Sequence, residues 1–448
     1  MNITTKAFGA FDVRGIYPET INEEIAYRIG RYLPLLFGMK NIVVGYDIRL
    51  SSAGLADALI KGITESGGNV RAAGLIGTEM IYFAVSRYGF DGGVMVTASH
   101  NPKEYNGMKF VKRNSRPISE TSGLKELAAA ILSEPPEKVS NIGKITKLDM
   151  MKDYISHILS YIDVSRLKPY KVVANIGNGA AGKVVEELSK HLPFEIIPIF
   201  KEPDGNFPNG VPNPLKKENR AGTIEAVQKY KADAGVAWDG DFDRCFMFDE
   251  NGGFIEGYYM VGFLAEAFLK KEKGATIIHD PRLTWNTIET VKRLGGTPVT
   301  VKSGHAFIKD KMRELDAVYG GELSSHHYFR DFFYCDSGMI PWLLVLSLMS
   351  EMNLPLSKLM EEKQKAFPAS GEISRRVDNA DKIIEAVKEK YGKYGKVSEI
   401  DGVSVDFPDW RFNLRKSGTE PEIRLNVESR GNKKLMEEKT EELLKYMV

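Results

Sequence analysis

Short runs of β-branched and apolar residues, each closed by a turn containing glycine or aspartate, recur along the chain in groups of three. Such runs are typical of buried strands. Between the first two runs of a group, apolar residues follow helical spacing, as Leu55, Leu59 and Ile63 do. Ser51-Ser52 is expected to cap that helix and Gly67-Gly68 to end it. The predicted strands cover residues 42–47, 69–75 and 93–97, then 171–177, 194–200 and 235–238, then 276–280, 297–302 and 317–319.

This alternation of strand, helix and strand implies parallel pairing, with helices packed on both faces of each sheet. Ligands of such sheets bind where the loops at the carboxyl ends of the strands converge. The third run of every group leads directly into an unusual polar loop. The sequence therefore predicts that these three loops carry the chemistry.

The same pattern divides the chain into domains. Residues 135–146, which begin with two prolines and stay polar, are interpreted as a linker, and residues 251–253 predict a hairpin turn. After residue 368 a short mixed pattern ends in an amphipathic helix at 435–447. We expect an α/β protein with three similar α/β domains of mixed sheets and a smaller C-terminal α+β domain. The expected boundaries are 1–149, 150–256, 257–367 and 368–448.

Composition narrows the classes of function. The 448 residues include 61 basic and 60 acidic ones, a net charge of +1, so nothing indicates the basic surface of a nucleic-acid or membrane-surface protein. Cys245 and Cys335 are too few for a disulfide framework and predict buried thiols in a reducing compartment. The apolar run 339–349 is too short to span a bilayer and predicts a buried helix. We expect a cytoplasmic protein without nucleic-acid or membrane partners, either a monomer or a homodimer.

The loop after the first group is Thr97-Ala98-Ser99-His100-Asn101-Pro102. Its small residues and proline-fixed turn would present the Ser99 hydroxyl to a ligand, although an ordinary turn has the same composition. No Gly-x-Ser-x-Gly sequence surrounds Ser99, so a hydrolase triad is not indicated.

The loop after the second group is Asp239-Gly240-Asp241-Phe242-Asp243-Arg244. Alternating carboxylates in such a turn direct their oxygens to one spot, and hard divalent cations prefer oxygen ligands. The alternative is a solvated acidic turn. It is disfavoured because a buried strand leads into the loop, where three carboxylates would repel one another without a cation. The glycine and glutamate positions of an EF-hand are missing. The sequence predicts a metal site.

Two further loops suit a phosphorylated sugar. In the third loop, which runs from Gly320 to His327, Glu322 and Ser324 alternate and can both face a sugar. No other histidine or cysteine lies at zinc-ligand spacing from His326-His327, so His327 fits a core or surface position and His326 a ligand contact. The segment from Arg415 to Pro421 places an arginine, hydroxyls and backbone N–H groups around a glycine, which suits a phosphate. A basic surface turn explains it equally well.

Together the loops resemble those of the α-D-phosphohexomutase superfamily along essentially the whole chain. The sequences Thr-Ala-Ser-His-Asn-Pro, Asp-Gly-Asp-Phe-Asp-Arg, Gly-Glu-Leu-Ser and Arg-Lys-Ser-Gly-Thr-Glu-Pro occur in the family's order, one in each domain. Residues 326–331, 335–339 and 409–415 are most similar to the bacterial phosphomannomutases. One departure is Ser325, where many relatives have glycine.

The resemblance implies four domains around a central cleft and a phosphorylated Ser99. It also implies an isomerase that converts mannose 6-phosphate to mannose 1-phosphate through a hexose 1,6-bisphosphate, which supplies GDP-mannose for polysaccharide synthesis. One Mg²⁺ would be bound by Ser99, Asp239, Asp241 and Asp243. The implied catalytic residues are Ser99, His100, Lys109, Arg14, Arg244 and His326. The implied substrate-binding residues are Glu322, Ser324, His305, Lys309, Arg415, Ser417, Gly418 and Thr419.

Several alternatives stay open at this point. A phosphoglucomutase, a mutase of dual specificity and, with less support, a phosphoglucosamine mutase would use the same loops. A metal-dependent sugar phosphatase would use the same serine and metal, but it needs no second phosphate site such as the one predicted at Arg415. A sugar-phosphate sensor without catalysis would not need Ser99 and three aspartates together.

Overall fold

The computed structural model describes residues 3–417 and 422–447. These residues form two compact units. The first contains the chain up to Phe254 and the segment Asp331–Glu351, and the second contains Ile255–Arg330 and the chain from Met352 onward.

The first sheet is mixed. Its strands, in chain order, are β1 (Val13–Ile16), β2 (Asn41–Tyr46), β3 (Asn69–Leu75), β4 (Gly92–Val96), β5 (Tyr105–Lys112), β6 (Arg116–Pro117) and β7 (Ile145–Lys147). They lie in the order β1-β5-β4-β2-β3-β7, with β6 paired to β5. The strands predicted from the sequence, β2, β3 and β4, are parallel, while β5 is antiparallel to both β1 and β4. The helices are α1 (Glu23–Phe37), α2 (Ser52–Glu65), α3 (Thr78–Tyr88), α4 (Lys125–Ala130) and α5 (Met151–Leu159).

Ser51 is the N-cap residue of helix α2, as predicted, but the side-chain hydrogen bond expected of a cap is wrong. Ser51 makes no capping hydrogen bond, and the helix begins at Ser52. The Ser52 hydroxyl donates to the Asp47 carboxylate at 2.6 Å instead. Asp47 lies at the end of the strand that precedes α2. Ser52, which the local sequence assigned to the start of a helix, therefore binds a residue at the carboxyl edge of the sheet.

The interpretation of residues 135–146 as a linker is also wrong. The backbone N–H of Val139 donates to the Glu65 carbonyl at 3.1 Å, and that of Gly143 donates to Thr64 at 2.9 Å. Strand β7 then pairs in parallel with β3. This polar segment is therefore attached to the end of α2 through backbone hydrogen bonds, which its composition does not reveal.

The second sheet has strands β8 (Lys171–Asn175), β9 (Glu195–Ile199), β10 (Ala234–Trp238) and β11 (Cys245–Phe248), with helices α6 (Gly182–Ser189) and α7 (Ala221–Tyr230). With β12 (Phe254–Ile255) the order is β12-β11-β10-β8-β9, in which β8 is parallel to both β9 and β10, and β10 is antiparallel to β11. All five residues of β10 are buried, as its apolar run predicted. A tight turn at residues 249–253 leads to β12 (Phe254–Ile255), which confirms the predicted hairpin turn.

The second unit begins with α8 (Gly257–Lys271), β13 (Thr276–His279), α9 (Trp285–Arg293), β14 (Thr297–Thr300), α10 (His305–Leu315), β15 (Tyr319–Gly321) and β16 (His327–Phe329). These strands lie in the order β14-β13-β15-β16, with β15 and β16 antiparallel. The strand predicted at 317–319 is displaced, because Ala317 and Val318 precede β15. The segment of the first unit that follows contains β17 (Cys335–Asp336) and the beginning of α11 (Met339–Met352), which is the predicted buried helix.

The rest of the second unit contains α12 (Leu356–Ala366), β18 (Ile373–Arg376), α13 (Ala380–Tyr391), β19 (Lys396–Ser398), β20 (Val403–Asp406), β21 (Trp410–Lys416), β22 (Glu422–Ser429) and α14 (Lys433–Leu444). The strands form an antiparallel sheet in the order β18-β22-β21-β20-β19. An apolar core that includes Val387, Phe412, Leu425 and Leu443 joins it to α13 and α14. Across the described residues, no single helix is long and apolar enough to cross a membrane. Helices α11 and α12 reach that threshold only when they are counted together.

Candidate active site

The loop after β4 holds the Ser99 hydroxyl against the acidic loop of the second sheet. Ser99 is buried and has a left-handed backbone (φ 50°), a conformation that costs a residue other than glycine roughly 1 kcal/mol or more. Its backbone N–H donates to the Thr97 hydroxyl at 2.8 Å. Its own hydroxyl donates to Asp239 Oδ2 at 2.9 Å and lies 3.0 Å from His100 Nδ1. The loop thus fixes one hydroxyl among ionisable groups.

Arg49, which no motif in the sequence indicated, supports this loop. Its guanidinium donates to four backbone carbonyl oxygens: Ser99 at 2.9 Å, Asn101 at 2.6 Å, Pro102 at 2.7 Å and Tyr105 at 2.8 Å. The planar arrangement of several N–H donors makes arginine the residue suited to this task. The strained backbone of Ser99 is therefore supported by a buried side chain 50 positions earlier in the chain.

Asp47 completes this support. Its carboxylate accepts hydrogen bonds from the hydroxyls of Thr97 at 2.7 Å and Ser52 at 2.6 Å, and its Oδ2 lies 3.4 Å from Arg49 Nε. Burial raises the pKa of Asp47, while Arg49 and the hydroxyl donors oppose the rise. The signal in the sequence was a pair of opposite charges two residues apart at the end of a buried strand. That pattern alone does not indicate which loop Asp47 and Arg49 contact.

The three aspartates after β10 form one buried cluster. Asp239 and Asp241 have no exposed surface, and Asp243 is 2% exposed, so the alternative of a solvated acidic turn is wrong. One carboxylate oxygen from each lies within 4.8 Å of the others. The loop approaches Ser99 closely, because a Cβ atom on Gly240 would lie 2.7 Å from the Ser99 carbonyl oxygen. The glycine in this motif is therefore required by the contact between the two loops.

Two basic side chains offset part of this negative charge. Lys109 Nζ lies 2.7 Å from Asp241 Oδ2 and 2.5 Å from Asp243 Oδ2, and Arg244 Nε donates to Asp239 Oδ2 at 2.8 Å. Burial raises the pKa of Asp239 to about 6, against the opposing charge of Arg244. Burial alone would lower the pKa of Lys109, but Asp241 and Asp243 outweigh it and the pKa is raised. Lys109 is therefore charged in this arrangement.

The donor set fits a metal ion. Asp241 Oδ2 accepts hydrogen bonds from Lys109 and, at 2.5 Å, from the Thr78 hydroxyl. Asp241 Oδ1 is buried and has no hydrogen-bond partner among the described residues. A buried carboxylate oxygen left in this way costs free energy unless a cation or another donor satisfies it. The cluster of three aspartates could hold a metal ion, and carboxylate oxygens suit a hard divalent cation.

Arg14 and His100 lie at the same loop. Arg14 on β1 donates to the Asn101 side chain and to Asp12, each at 2.6 Å. His100 Nδ1 contacts both the Ser99 hydroxyl and an Nη atom of Arg244. Burial, followed by the charges of Arg244 and Arg14, lowers the pKa of His100 well below its usual value. His100 is therefore a neutral imidazole that can orient Ser99. The first unit brings together all the predicted catalytic residues except His326.

The sugar loop of the second unit is built around Glu322. Its Oε2 accepts a hydrogen bond from the Tyr328 hydroxyl at 2.6 Å and lies 3.3 Å from His326 Nδ1, and its Oε1 accepts from the Gly304 N–H at 3.0 Å. Ser324 Oγ lies 3.1 Å from His326 Nδ1. Although burial would raise it, the pKa of Glu322 is lowered by His326 and nearby positive charge. Glu322, Ser324 and His326 therefore lie together, and Tyr328 is a partner that the sequence did not reveal.

Three other residues of this region have distinct positions. Ser325 has a left-handed backbone (φ 66°), a conformation that glycine adopts more readily than other residues. His327 is buried, with its Nδ1 2.7 Å from the Tyr319 hydroxyl, so of the core and surface positions expected for it the structure shows the core one. On α10, His305 is half-buried and Lys309 is fully buried, with Lys309 Nζ 3.5 Å from His305 Nδ1. The structure therefore places these two beside each other.

The phosphate loop is described in part. Arg415, near the end of β21, is 9% exposed and donates to Glu372 Oε2 at 2.9 Å. The Ser417 N–H donates to the Glu422 carbonyl at 2.8 Å. Gly418 and Thr419, the other two predicted members of this loop, lie outside the described residues.

Comparison with protein families and known proteins agrees along the whole chain. Family models for phosphoglucomutase/phosphomannomutase match as alpha/beta/alpha domain I at residues 5–137, domain II at 152–253, domain III at 256–367 and the C-terminal domain at 372–445. A phosphomannomutase of Vibrio cholerae is 54% identical over 452 residues, and one of Escherichia coli is 51% identical over 446 residues. In both comparisons 98% of each chain is covered.

A solved structure shows the same fold. The crystal structure of a phosphoglucomutase/phosphomannomutase family protein from Burkholderia thailandensis superposes with a TM-score of 0.88 at 30% identity. The match covers 99% of this chain and 97% of that one.

Proposed function

This chain belongs to the phosphoglucomutase/phosphomannomutase family, and we propose that it interconverts mannose 6-phosphate and mannose 1-phosphate. The observation that carries the proposal is the buried Ser99 hydroxyl, 2.9 Å from the first carboxylate of a three-aspartate cluster. The names of relatives that are 51% and 54% identical support an isomerase that acts on mannose phosphate. A role in supplying GDP-mannose for polysaccharides is part of the same proposal.

In the proposed reaction a phosphorylated Ser99 is the phosphoryl donor. The free hydroxyl oxygen of the hexose monophosphate forms a bond to phosphorus, and the bond from phosphorus to Ser99 Oγ breaks. This gives a hexose 1,6-bisphosphate. Ser99 Oγ then attacks the other phosphorus atom, which releases the isomeric monophosphate and restores the phosphoserine. Such transfers depend mainly on positioning and on neutralising the oxygens of the phosphoryl group.

We propose that Asp239, Asp241 and Asp243, together with the phosphorylated Ser99, would bind one Mg²⁺. When bound, the ion would draw negative charge from the phosphoryl oxygens. Lys109 and Arg244 supply further positive charge beside the carboxylates, and His100 orients the Ser99 side chain. We propose Lys109 and His326 as the residues that transfer protons to and from the reacting hydroxyl groups.

Glu322 and Ser324 are proposed to bind sugar hydroxyls, with His305 and Lys309 beside them. Arg415 and Ser417 would hold the phosphate that is not being transferred, with Gly418 and Thr419 of the same motif. Mannose and glucose differ in the configuration of the C2 hydroxyl, and none of these groups is placed in an obvious way to distinguish the two configurations. We therefore expect both sugars to react, with mannose preferred by roughly 100-fold or less. Glucosamine 1-phosphate should react more slowly, since no anionic partner for its ammonium group is identified.

The proposal includes the organisation of the protein. We propose that the four sheets belong to domains at 1–149, 150–256, 257–367 and 368–448. We also propose that the protein acts in the cytoplasm as a monomer or homodimer, without nucleic-acid or membrane partners. Cys245 and Cys335 are both buried thiols, which fits a reducing compartment.

A coupled assay tests the proposed function. Purified protein would be given mannose 1-phosphate, glucose 1-phosphate or glucosamine 1-phosphate, with traces of hexose 1,6-bisphosphate as activator and with Mg²⁺. We expect mannose 6-phosphate to form from mannose 1-phosphate, with the highest kcat/KM of the three substrates. Release of inorganic phosphate without 6-phosphate would establish a phosphatase instead. Undetectable turnover of glucose 1-phosphate would show that some residue distinguishes the C2 configuration. Ser325 and His327 would be the first candidates to mutate.

A further inference from the structure

Glu372, which lies immediately before β18, accepts hydrogen bonds from three arginines of the second unit. Its Oε2 lies 2.9 Å from Arg415 Nη2 and 3.4 Å from Arg282 Nη1, and its Oε1 lies 3.3 Å from Arg424 Nη1. Arg415 is the residue proposed to bind the phosphate that is not transferred. A carboxylate outside all the predicted loops is therefore in direct contact with the phosphate-binding arginine.

The contact is screened from water on the side of Arg282 and Arg415. The side chains of Arg282 and Arg415 are 5% and 10% exposed, while Glu372 is 24% exposed. Burial alone would raise the pKa of Glu372, but the three arginines outweigh it and lower the pKa to about 2. The carboxylate is therefore charged at neutral pH, and its hydrogen bonds are charge-assisted.

Arg282 continues the line of charges toward the sugar loop. Its Nη2 donates to Asp280 Oδ2 at 2.8 Å and lies 3.8 Å from Glu322 Oε1. Asp280 Oδ2 also accepts the backbone N–H of Leu323, inside the sugar loop, at 2.7 Å. A continuous series of ion pairs therefore links Glu322, proposed to bind sugar hydroxyls, to Arg415, proposed to bind phosphate.

Among the described residues, the other contacts of Arg415 are too weak to fix its guanidinium. Its Nη1 lies 3.5 Å from the Lys416 carbonyl oxygen, at the limit of a hydrogen bond. Its Nε is buried without a hydrogen-bond partner among the described residues. Arginine has five N–H donors, so Glu372 occupies one nitrogen and leaves others for a ligand. The orientation of the group is set mainly by Glu372.

We infer that Glu372 is a positioning residue for substrate phosphate. It orients the Arg415 guanidinium so that the remaining N–H groups meet the phosphate, and through Arg282 it aligns that guanidinium with Glu322 of the sugar loop. This inference rests on the proposed function, because it takes Arg415 as the phosphate ligand. Substrate then binds to a preformed arginine and loses less conformational entropy than if the side chain had to be ordered on binding.

The test compares Glu372→Gln and Glu372→Asp with the matched control Asp381→Asn. Asp381 pairs with Lys416, the neighbour of Arg415, but its side chain is 76% exposed, so that pair should contribute little. Steady-state kinetics with mannose 1-phosphate give KM and kcat. Calorimetric titration of each variant with inorganic phosphate gives anion affinity without any need for turnover. The thermal transition of each variant reports whether it is folded.

We expect Glu372→Gln to raise KM and weaken phosphate binding by about tenfold, the scale of one charge-assisted hydrogen bond. kcat should change by less than about threefold, because the phosphate is held equally in the ground and transition states. Glu372→Asp keeps the charge but is one methylene shorter, and it should show an intermediate loss. Asp381→Asn should behave as the parent protein does.

Unchanged or tighter phosphate binding in Glu372→Gln would overturn the inference, because Glu372 would then only compete with the ligand. If Glu372→Gln does not fold, Glu372→Asp decides the question, and a parent-like KM in that variant would overturn the inference. Equal losses in kcat and affinity would also overturn it. If the parent protein shows no mutase activity, the proposed function fails, whereas the phosphate titration still tests the contact between Glu372 and Arg415.

Discussion

Arg49 Nη2 donates a hydrogen bond of 2.9 Å to the carbonyl oxygen of Ser99, although the two residues are 50 positions apart in the chain. Ser99 has a left-handed backbone, and its loop is held at three further carbonyls by the same guanidinium. The position of the proposed phosphoryl carrier therefore depends on a buried side chain that touches neither the metal cluster nor the sugar loop in any described contact.

Arg49→Lys should lower kcat by about 10- to 100-fold with a small change in KM. A lysine ammonium cannot satisfy four carbonyls in one plane, so the Ser99 hydroxyl would lose its alignment, and misplacement by about 1 Å costs on this scale. Steady-state kinetics measure the split. Arg28→Lys is the matched control, because Arg28 is also buried and donates to the carbonyls of Ile131 and Ser133 away from the site. Equal losses in both variants would indicate general destabilisation.

Ser99→Ala should reduce mutase turnover by a factor of about 10⁴ or more, because the phosphoryl carrier is lost. The described hydrogen bonds of the side chain all lie within the site, so the thermal transition should stay close to that of the parent protein. Kinetics and calorimetry on the same preparation check both statements. Near-normal activity in this variant would remove the phosphoserine mechanism.

Asp241→Asn should weaken Mg²⁺ binding by at least about tenfold, since one anionic ligand of a small set is replaced by a neutral one. The amide keeps nearly the same shape beside Lys109 and Thr78, so the protein should fold. The measurement is the rise in thermal midpoint on adding Mg²⁺, which follows metal affinity and needs no turnover. The exposed Asp163 provides the control Asp163→Asn. A parent-like response to Mg²⁺ would contradict the assignment of the metal site.

Tyr328→Phe should lower kcat/KM for mannose 1-phosphate by about tenfold. The tyrosine hydroxyl holds Glu322 Oε2 at 2.6 Å, and the loss of one hydrogen bond to a charged group is worth about this factor. Tyr319→Phe is the control, because the Tyr319 hydroxyl contacts His327 and makes no described contact with Glu322. If both variants lose the same activity, the effect comes from packing of the sheet.

His327 should make the protein less stable in acid. Burial, with a contribution from His326, lowers its pKa to about 3, and Glu322 opposes that shift. As the pH falls below about 6.5, the unfolded chain takes up a proton that the folded protein does not. Stability from this group is complete above pH 6.5 and is lost as the pH falls toward 3, which amounts to about 2 kcal/mol at pH 5.

The variant His327→Gln tests this, because its amide can still accept the hydrogen bond of Tyr319. The fall in thermal midpoint between pH 7 and pH 5 should be smaller in the variant than in the parent protein. An identical fall would show that His327 binds a proton in the folded state.

The local sequence pattern was enough to identify those parts of the site that lie directly after a strand in the chain. Buried runs end where β4, β10 and β15 end, within one or two residues, and polar motifs follow each of them. Because side chains at the carboxyl ends of parallel strands share one edge of a sheet, the sequence determined that Ser99, the three aspartates and Glu322 would lie on such edges. The alternation of strand and helix likewise determined the fold class.

Tertiary structure decided which side chains hold those loops in place. No residue near Ser99 in the sequence indicates that Arg49 binds its loop. Ser52 donates a hydrogen bond to Asp47, although its position in the sequence suggested a helix cap. Glu372 lies outside every motif. A hydrogen bond between residues far apart in the chain produces no repeating pattern in the sequence, because each of the two residues is also compatible with several local roles. Periodicity records which side of an element is buried. Which groups meet across the buried space is settled only when the chain has folded, and there a buried charge is stable only beside its partner.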